Sequence, residues 1–439
     1  MWRHQMMALH RLQYLEVMAL VDSIRPRSAD FRISIPIVSK IALLVAATIA
    51  ICFLRRPDQL TDPAIWIEDG TYILKAYAER GLRSFFEPVA GYYIVVPKVI
   101  AIAAFYIDIV RAPAIEAWLT VLFTAAVLVA VAQSPTWLPY PFLCALLTLG
   151  LPIEPENYTL SLYTLWWAGL LVALAVLWDS SRGYQSLRAL LVLIGGLSSP
   201  IILASAPLLW VRAAFERTFA AIGIAVLSTA LAAFQGRAIW HGAYKSGFGQ
   251  INLWNVQEAF DRFLGLYFVG AFTNDIGRAA NLGFIVAIFL CLLIWHVRDR
   301  LDWRFGFVVL LWVAAVGLSA SRIRVELLHP FISARYFFYA DIFLAWGCVW
   351  LAAVSTYPVR IGLAAAYGAA LLSAGSRLQQ RHVPYNWKSH ILNCGASTGD
   401  YTLPIMYMAG TSETMWKLTL SGDQCRFMIA HSLVRRWRQ

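Results

Sequence analysis

Long apolar runs alternate with short polar or basic stretches from residue 33 to residue 376. The runs cover 33–54, 92–108, 113–132, 140–151, 161–178, 188–211, 218–234, 281–297, 305–320, 336–354 and 361–375. Several approach the ~20 residues an α-helix needs to cross a bilayer, beginning with RISIPIVSKIALLVAATIAICFL. Hydrocarbon offers the backbone no partner, so such runs have to bond internally as helices. The pattern predicts an all-α polytopic membrane protein of roughly 9–12 transmembrane or re-entrant helices.

The polar stretches set the organisation. Residues 1–32 carry Arg3, Arg11, Arg25 and Arg27 together with Glu16, Asp22 and Asp30, and no small-residue cleavage site. They read as a basic, amphipathic cytoplasmic segment rather than a secretory signal. Further basic anchors of the same side are 179–188, 212–217 and 296–304. The run 188–211 joins two of these anchors and is interrupted by GGLSSP, so two half-helices returning to the side they left are expected. Parity then requires that one run between 92 and 178 does not cross; 92–108 and the short 140–151 are the candidates. The opposite side receives the first external loop, 55–91, then 152–160, 235–262, 321–335 and the tail 377–439. The tail alternates polar and apolar segments, as a small external β or α/β cap would.

Composition agrees. Hydrophobic residues make up 60% and charged residues only 14% of the 439, where a soluble protein carries about a quarter charged. The net charge of +11 fits topology and contact with anionic membrane lipids; no basic soluble module suggests nucleic acid. Of six cysteines, Cys52, Cys144, Cys291 and Cys348 lie in apolar runs. Cys394 and Cys425 lie in the tail, at a spacing that fits no zinc pattern. A disulfide is the better reading and places the tail in an oxidising compartment; closing that loop contributes roughly 3–4 kcal/mol.

Candidate chemistry centres on IWIEDGTYILKAYAERG, 65–81. Ile73, Leu74 and Tyr77 share a face and Gly81 is a C-terminal stop, so a helix lying on the membrane surface is expected over 70–80. Asp69 would be its N-cap, worth about 1 kcal/mol. That reading leaves Glu68 without a role. Together with the following EPVAGYYIVVPK, the loop resembles the W-x-E-D-G and G-Y-…-V-P-[RK] elements of polytopic glycosyltransferases of the GT-C superfamily. The resemblance is tight in this loop and loose elsewhere, where PIEPENYTLSLYTLWW and GLSSP are weaker matches.

The resemblance implies a GT-C-like bundle in a bacterial cytoplasmic membrane. It implies inverting transfer, at the outer face, of a sugar from a polyprenyl-phosphate donor to a surface glycan or glycolipid. Asp69 is the first choice as general base, with Glu68 second. Arg335, Lys98 and Arg322 are candidates for the donor phosphate, which a guanidinium fork matches well. Lys98 inside an apolar run would cost ~2.5–3.5 kcal/mol facing lipid at mid-depth, so a cavity or the interface is expected for it. Arg335 could equally snorkel at a helix end. Glu154, Glu156 and Asn157 offer acceptor contacts or ligands for a divalent cation, or simply form a solvated loop. His329 and the aromatic residues Trp66, Tyr92, Trp166 and Trp167 are candidates for sugar binding, although a membrane-interface belt also supplies such aromatics. No metal cluster, P-loop, G-x-S-x-G or C-x-x-C is present. Two other classes share these features: a lipid-linked sugar flippase, and a catalytically inactive membrane scaffold.

Overall fold

The structure is a computed structural model. It describes residues 36–89, 91–151, 153–241, 263–264, 276–322, 334–377, 379, 381–382, 385–405 and 416–436. Residues 1–40 and 41–439 group as separate compact units. Of the first, only the opening turn of helix α1 is described, with Lys40 N–H bonded to Pro36 C=O at 3.1 Å. The second unit holds the remaining elements.

The chain is mostly helical. After α1 (Ile37–Arg55) and the short α2 (Pro57–Thr61), a π-helical turn (Asp69–Leu74) runs directly into α3 (Lys75–Arg80). Then come α4 (Val95–Asp108), α5 (Ala112–Gln133), α6 (Pro141–Gly150), α7 (Thr164–Val176), α8 (Gln185–Ser198), α9 (Ile202–Glu216) and α10 (Phe219–His241). The series continues with α11 (Ile276–Val297), α12 (Phe305–Arg322), α13 (Phe338–Val354) and α14 (Tyr357–Arg377). Among the described residues, four helical stretches are long and apolar enough to cross a membrane: Ile37–Arg55, Ala112–Gln133, Phe219–His241 and Arg335–Val354. Shorter apolar helices pack among them.

Two hydrophobic cores divide the labour. The larger one is the helix bundle, centred on Trp167, Trp178, Trp346 and the apolar faces of α5–α9, α12 and α13. The smaller one combines Ile65–Ile67, Ile73 and Leu74 from the first loop with α4, Leu160–Leu165 and the tail. Helix α4 contributes Ile102 and Phe105 to this second core. At 1.5 Å per residue its 14 residues span about 21 Å, short of a bilayer core. The other candidate for the non-crossing run, α6, has 10 residues and is shorter still, about 15 Å, so length does not choose between the two; α6 supplies Cys144, Ala145 and Leu149 to the bundle.

The tail folds as α15 (Trp387–Ala396), an antiparallel pair of β1 (Asp400–Ile405) with β2 (Trp416–Ser421), α16 (Gly422–His431) and α17 (Leu433–Arg436). The register runs from Asp400 opposite Ser421 to Ile405 opposite Trp416. A capping box between Ser421 and Gln424 starts α16. Cys394 and Cys425 are disulfide-bonded with their Cα atoms 5.8 Å apart, tying α15 to α16. The cap is thus mixed rather than purely β.

The interrupted run 188–211 is two helices, α8 and α9, parted at Ser199–Ile201. Their distant ends meet: Arg188 Nη1 lies 3.0 Å from Glu216 Oε2. Arg212 also pairs with Glu216 and stacks over Trp137 at 3.6 Å. The half-helices do return to the end they started from. Near the break, Gln235 of α10 bonds Tyr93 N–H at 2.9 Å and, through its amide N–H, the carbonyls of Tyr93 and Gly196 at 3.0 Å each. Val96 N–H reaches Ser198 Oγ at 3.0 Å. These bonds fix the GYY segment against the bundle end that carries the candidate site.

Candidate functional site

The first loop does not place Asp69 as a helix cap. Helical backbone begins at Ile67, Gly70 N–H already bonds Trp66 C=O at 2.8 Å, and no side chain caps the turn. The expected surface helix is present with Gly81 as its stop, at φ +59°, but it starts earlier and its first turn is a π-turn, a feature often found at functional sites. Gly70 faces the cap so closely that a Cβ there would meet Ile405 Cδ1 at 2.5 Å.

Adjacent positions on a helix point about 100° apart, so the two carboxylates separate. Asp69 turns inward and is fully buried. Its Oδ1 accepts from Ser161 Oγ–H at 2.8 Å and from Leu162 N–H at 3.1 Å. Burial holds its carboxyl well above the ordinary carboxylate range, and the nearby Glu116 and Glu68 carboxylates push the same way. Asp69 is thus a clamp on Ser161 and Leu162; it is fully buried and does not line the cavity that Glu68 faces, which moves Glu68 ahead of it among the candidate bases.

Glu68 turns into a cavity of ≈ 220 Å³ whose walls include Tyr92, Tyr163, Trp166, Arg335 and Tyr336. Burial raises its carboxyl above the ordinary value, opposed by the Arg335 charge and by hydrogen bonds from Tyr163 and Trp66. Tyr163 links the two charged walls: its hydroxyl lies 3.4 Å from Glu68 Oε1 and accepts from Arg335 Nη1 at 3.0 Å. Arg335 opens the 3₁₀ turn that leads into α13, so the bundle itself presents its guanidinium. That guanidinium also lies 3.6 Å from Glu154 Oε2 and 3.7 Å from Glu156 Oε2.

The remaining candidates fall in several places. Glu154, Glu156 and Asn157 form no solvated loop: all three are buried, Glu154 just ahead of the 155–158 turn and the other two within it, with Asn157 C=O accepting from the Trp167 indole at 2.6 Å. Burial raises Glu156 above its ordinary value while Arg335 and Arg56 oppose the shift. These carboxylates back Arg335 and do not line the cavity. Lys98 is buried and spends its ammonium on the carbonyls of Ser84, at 2.5 Å, and Glu87. It caps the end of the 3₁₀ turn Gly81–Phe86 and is a structural cation, which removes it from the phosphate candidates. Trp66 is also buried; Arg56 lies over its ring at 5.1 Å and its indole serves Glu68, so it cannot stack on a sugar. Trp167 is likewise interior. Tyr92 and Trp166 do reach the cavity. His329 lies outside the described residues, as does the side chain of Arg322. Among the described residues no three acidic, histidine or cysteine side chains converge as a metal site would require.

Three participants were not anticipated. Tyr163 sits in LYTLWW, where nothing marks it apart from other interface aromatics. Tyr336 adjoins Arg335 and is its second aromatic neighbour, at 5.4 Å. Glu116 did have a signal, as the one charge within APAIEAWLTVLFTAAVLVAVAQ; a carboxylate inside an apolar span marks function or a specific partner, and here that partner is Asp69.

No protein-family model, curated protein or solved structure matches this chain.

Proposed function

We propose that this protein is an inverting glycosyltransferase of the GT-C type. It would move a sugar from a polyprenyl-phosphate donor to a surface glycan or glycolipid acceptor, with Glu68 as general base. The observation that carries the reading is one cavity with a carboxylate and a guanidinium on its walls, lined otherwise by a mixture of aromatic rings and aliphatic side chains. A base needs a carboxylate within reach of an acceptor hydroxyl. Displacement at the anomeric carbon needs a cation near the departing phosphate. Aromatic faces suit the C–H faces of a sugar ring. The volume corresponds to about seven waters' share of liquid, the room a single sugar ring takes.

In this reading Arg335 holds the donor phosphate, exchanging part of its contact with Glu154 and Glu156 for the ligand. Glu68 takes the acceptor proton, and attack from the face opposite the phosphate inverts the anomeric carbon. The domain division into residues 1–32, 33–376 and 377–439 belongs to the same proposal, as does the topology: a bacterial cytoplasmic membrane, N-terminus inside and cap outside. Transfer of radiolabelled sugar from synthetic polyprenyl-phosphate hexoses by the purified protein tests it. Glu68→Gln should abolish turnover; full turnover in that variant would remove the assigned chemistry.

A flippase is the competing reading, and Glu116 is the observation in its favour, since transporters place carboxylates within spans. Loss of transfer in Glu68→Gln but not in Glu116→Gln separates the two.

A further inference from the structure

Tyr163 is hydrogen-bonded to both charged walls of the cavity and also lies against the Glu156 carboxylate. Its ring is almost wholly buried and the Arg335 guanidinium lies 5.6 Å from the ring centre. The backbone that carries it is anchored on either side. Asp69 grips Ser161 and Leu162 immediately before it, while Tyr163 N–H bonds Leu160 C=O at 3.2 Å and its carbonyl receives Trp166 N–H at 3.0 Å. The phenol therefore has little freedom to follow a moving partner. Its 3.4 Å approach to Glu68 is long for an O–H···O bond, so its strength is open to change by what Arg335 does to the phenol oxygen.

We propose that Tyr163 is a positioning residue that couples anion binding at Arg335 to the readiness of Glu68. The inference rests on the proposed function, in which Glu68 and Arg335 form one site. With Arg335 bonded to its oxygen, the phenol is polarised and donates strongly, which stabilises Glu68 as a carboxylate. When a phosphate draws Arg335 away, the donation weakens and Glu68 gains proton affinity. The base is strongest when a donor is present. The charged and titratable groups that face Glu68 are Arg335 ahead of α13, Tyr163 ahead of α7, Glu154 and Glu156 in the 155–158 turn, and Asp69 on its own segment. Of these, Tyr163 bonds to both Glu68 and Arg335.

The test uses the full chain in detergent and Tyr163→Phe, which keeps the ring. Labelling of Glu68 by an apolar carbodiimide, read by peptide mass spectrometry across pH, reports the protonated carboxyl directly. The labelling midpoint should lie at higher pH in Tyr163→Phe than in wild type. Inorganic phosphate should raise the wild-type midpoint and raise it less in the variant. In the transfer assay, the acid limb should move to higher pH in the variant, with kcat above that limb and KM changed little, because the variant already lacks the donation that a bound phosphate would withdraw. A merely structural tyrosine would leave the pH dependence in place. Identical midpoints in wild type and variant overturn the proposal. If the variant does not fold, a wild-type midpoint indifferent to phosphate overturns it equally. A shifted midpoint without any transfer would refute the glycosyltransferase reading and leave this coupling standing. Glu68-dependent transfer with no effect of Tyr163 would do the reverse.

Discussion

Glu68 and Asp69 are neighbours in the chain, yet one faces a cavity and the other a fully buried clamp. Their substitutions should therefore part company. Glu68→Gln keeps the shape and removes the proton acceptor, so transfer should fall by about 10²–10⁴ while the thermal midpoint stays near wild type. Asp69→Asn keeps an oxygen for Ser161 and Leu162 and loses a carboxyl that burial already disfavours as an anion, so folding and most turnover should survive. Asp69→Ala strands two buried donors, at about 1–3 kcal/mol each, and should lower the thermal midpoint measured by scanning fluorimetry. The pH profile follows from Glu68 as well. Its carboxyl is raised in the folded protein, so activity should be present at neutral pH and be lost as pH falls through that raised value. The acid limb then lies above the ~4.3 of an ordinary glutamate, and a limb at or below it would count against Glu68 as base. That the pair is unusual was legible in the sequence, but which of the two faces the cavity was not. Ranking Asp69 first assumed that the helix began at Gly70; a start only three residues earlier rotates the acidic side chains to different faces.

The GGLSSP break shows the same mixture at the level of elements. Two half-helices with their distant ends together follow from basic loops on both sides of an interrupted apolar run, and the Arg188–Glu216 pair bears this out. The glycines, however, are not the interruption. Gly195 and Gly196 lie inside α8, and the helix parts only at Ser199–Ile201. Gly195 is there because α7 passes so close that a Cβ would meet Ala168 C=O at 2.6 Å and Val172 N at 3.2 Å. Small residues at such crossings let helix backbones approach in a membrane bundle. Backbone atoms cannot swing aside as a side-chain end can, so Gly195→Ala should cost about 1–3 kcal/mol. It should also loosen α8 against α7, visible as faster hydrogen exchange in both helices. Exchange unchanged from wild type would show that the crossing has slack. No one-dimensional pattern distinguishes a glycine that breaks a helix from one that admits a neighbour, because the neighbour is supplied by the fold. The role of Lys98 was hidden for a similar reason: its partners are carbonyls of a 3₁₀ turn, which a sequence does not display.

At the scale of the whole molecule, the second core makes the first loop, α4 and the cap one layer, and a polar latch closes it. Arg56 follows α1, Asp58 lies in α2, and His382 lies in the segment that leads to the cap. Asp58 pairs with Arg56 at 3.3 Å and with the His382 ring, and its Oδ2 accepts His382 N–H at 2.8 Å. The His382 Nε2 contacts Asp62 C=O at 2.8 Å, and Asp62 accepts Tyr385 N–H at 3.1 Å. Burial alone would push the Asp58 carboxyl up, but His382 and Arg56 hold it below the usual carboxylate range. A carboxylate depressed in the folded state contributes stability at every pH above its unfolded value of about 4 and surrenders it as pH falls through the folded value. The latch should thus be intact at neutral and mildly acidic pH, begin to lose stability below about pH 4, and release the cap-side segment only as pH falls through the depressed folded value. Asp58→Asn removes the charge while leaving one acceptor, a loss of about 1.5–3 kcal/mol that lowers the thermal midpoint at pH 7. In that variant the acid step should shrink, because the group responsible for it no longer titrates. Thermal unfolding of both proteins from pH 7 to pH 3, with limited proteolysis of residues 377–386 as the local readout, decides the matter. An acid step of equal size in wild type and variant would place its origin elsewhere in the molecule. The covalent tie of Cys394 to Cys425 lies wholly within the cap, so its reduction should soften the cap without opening this latch.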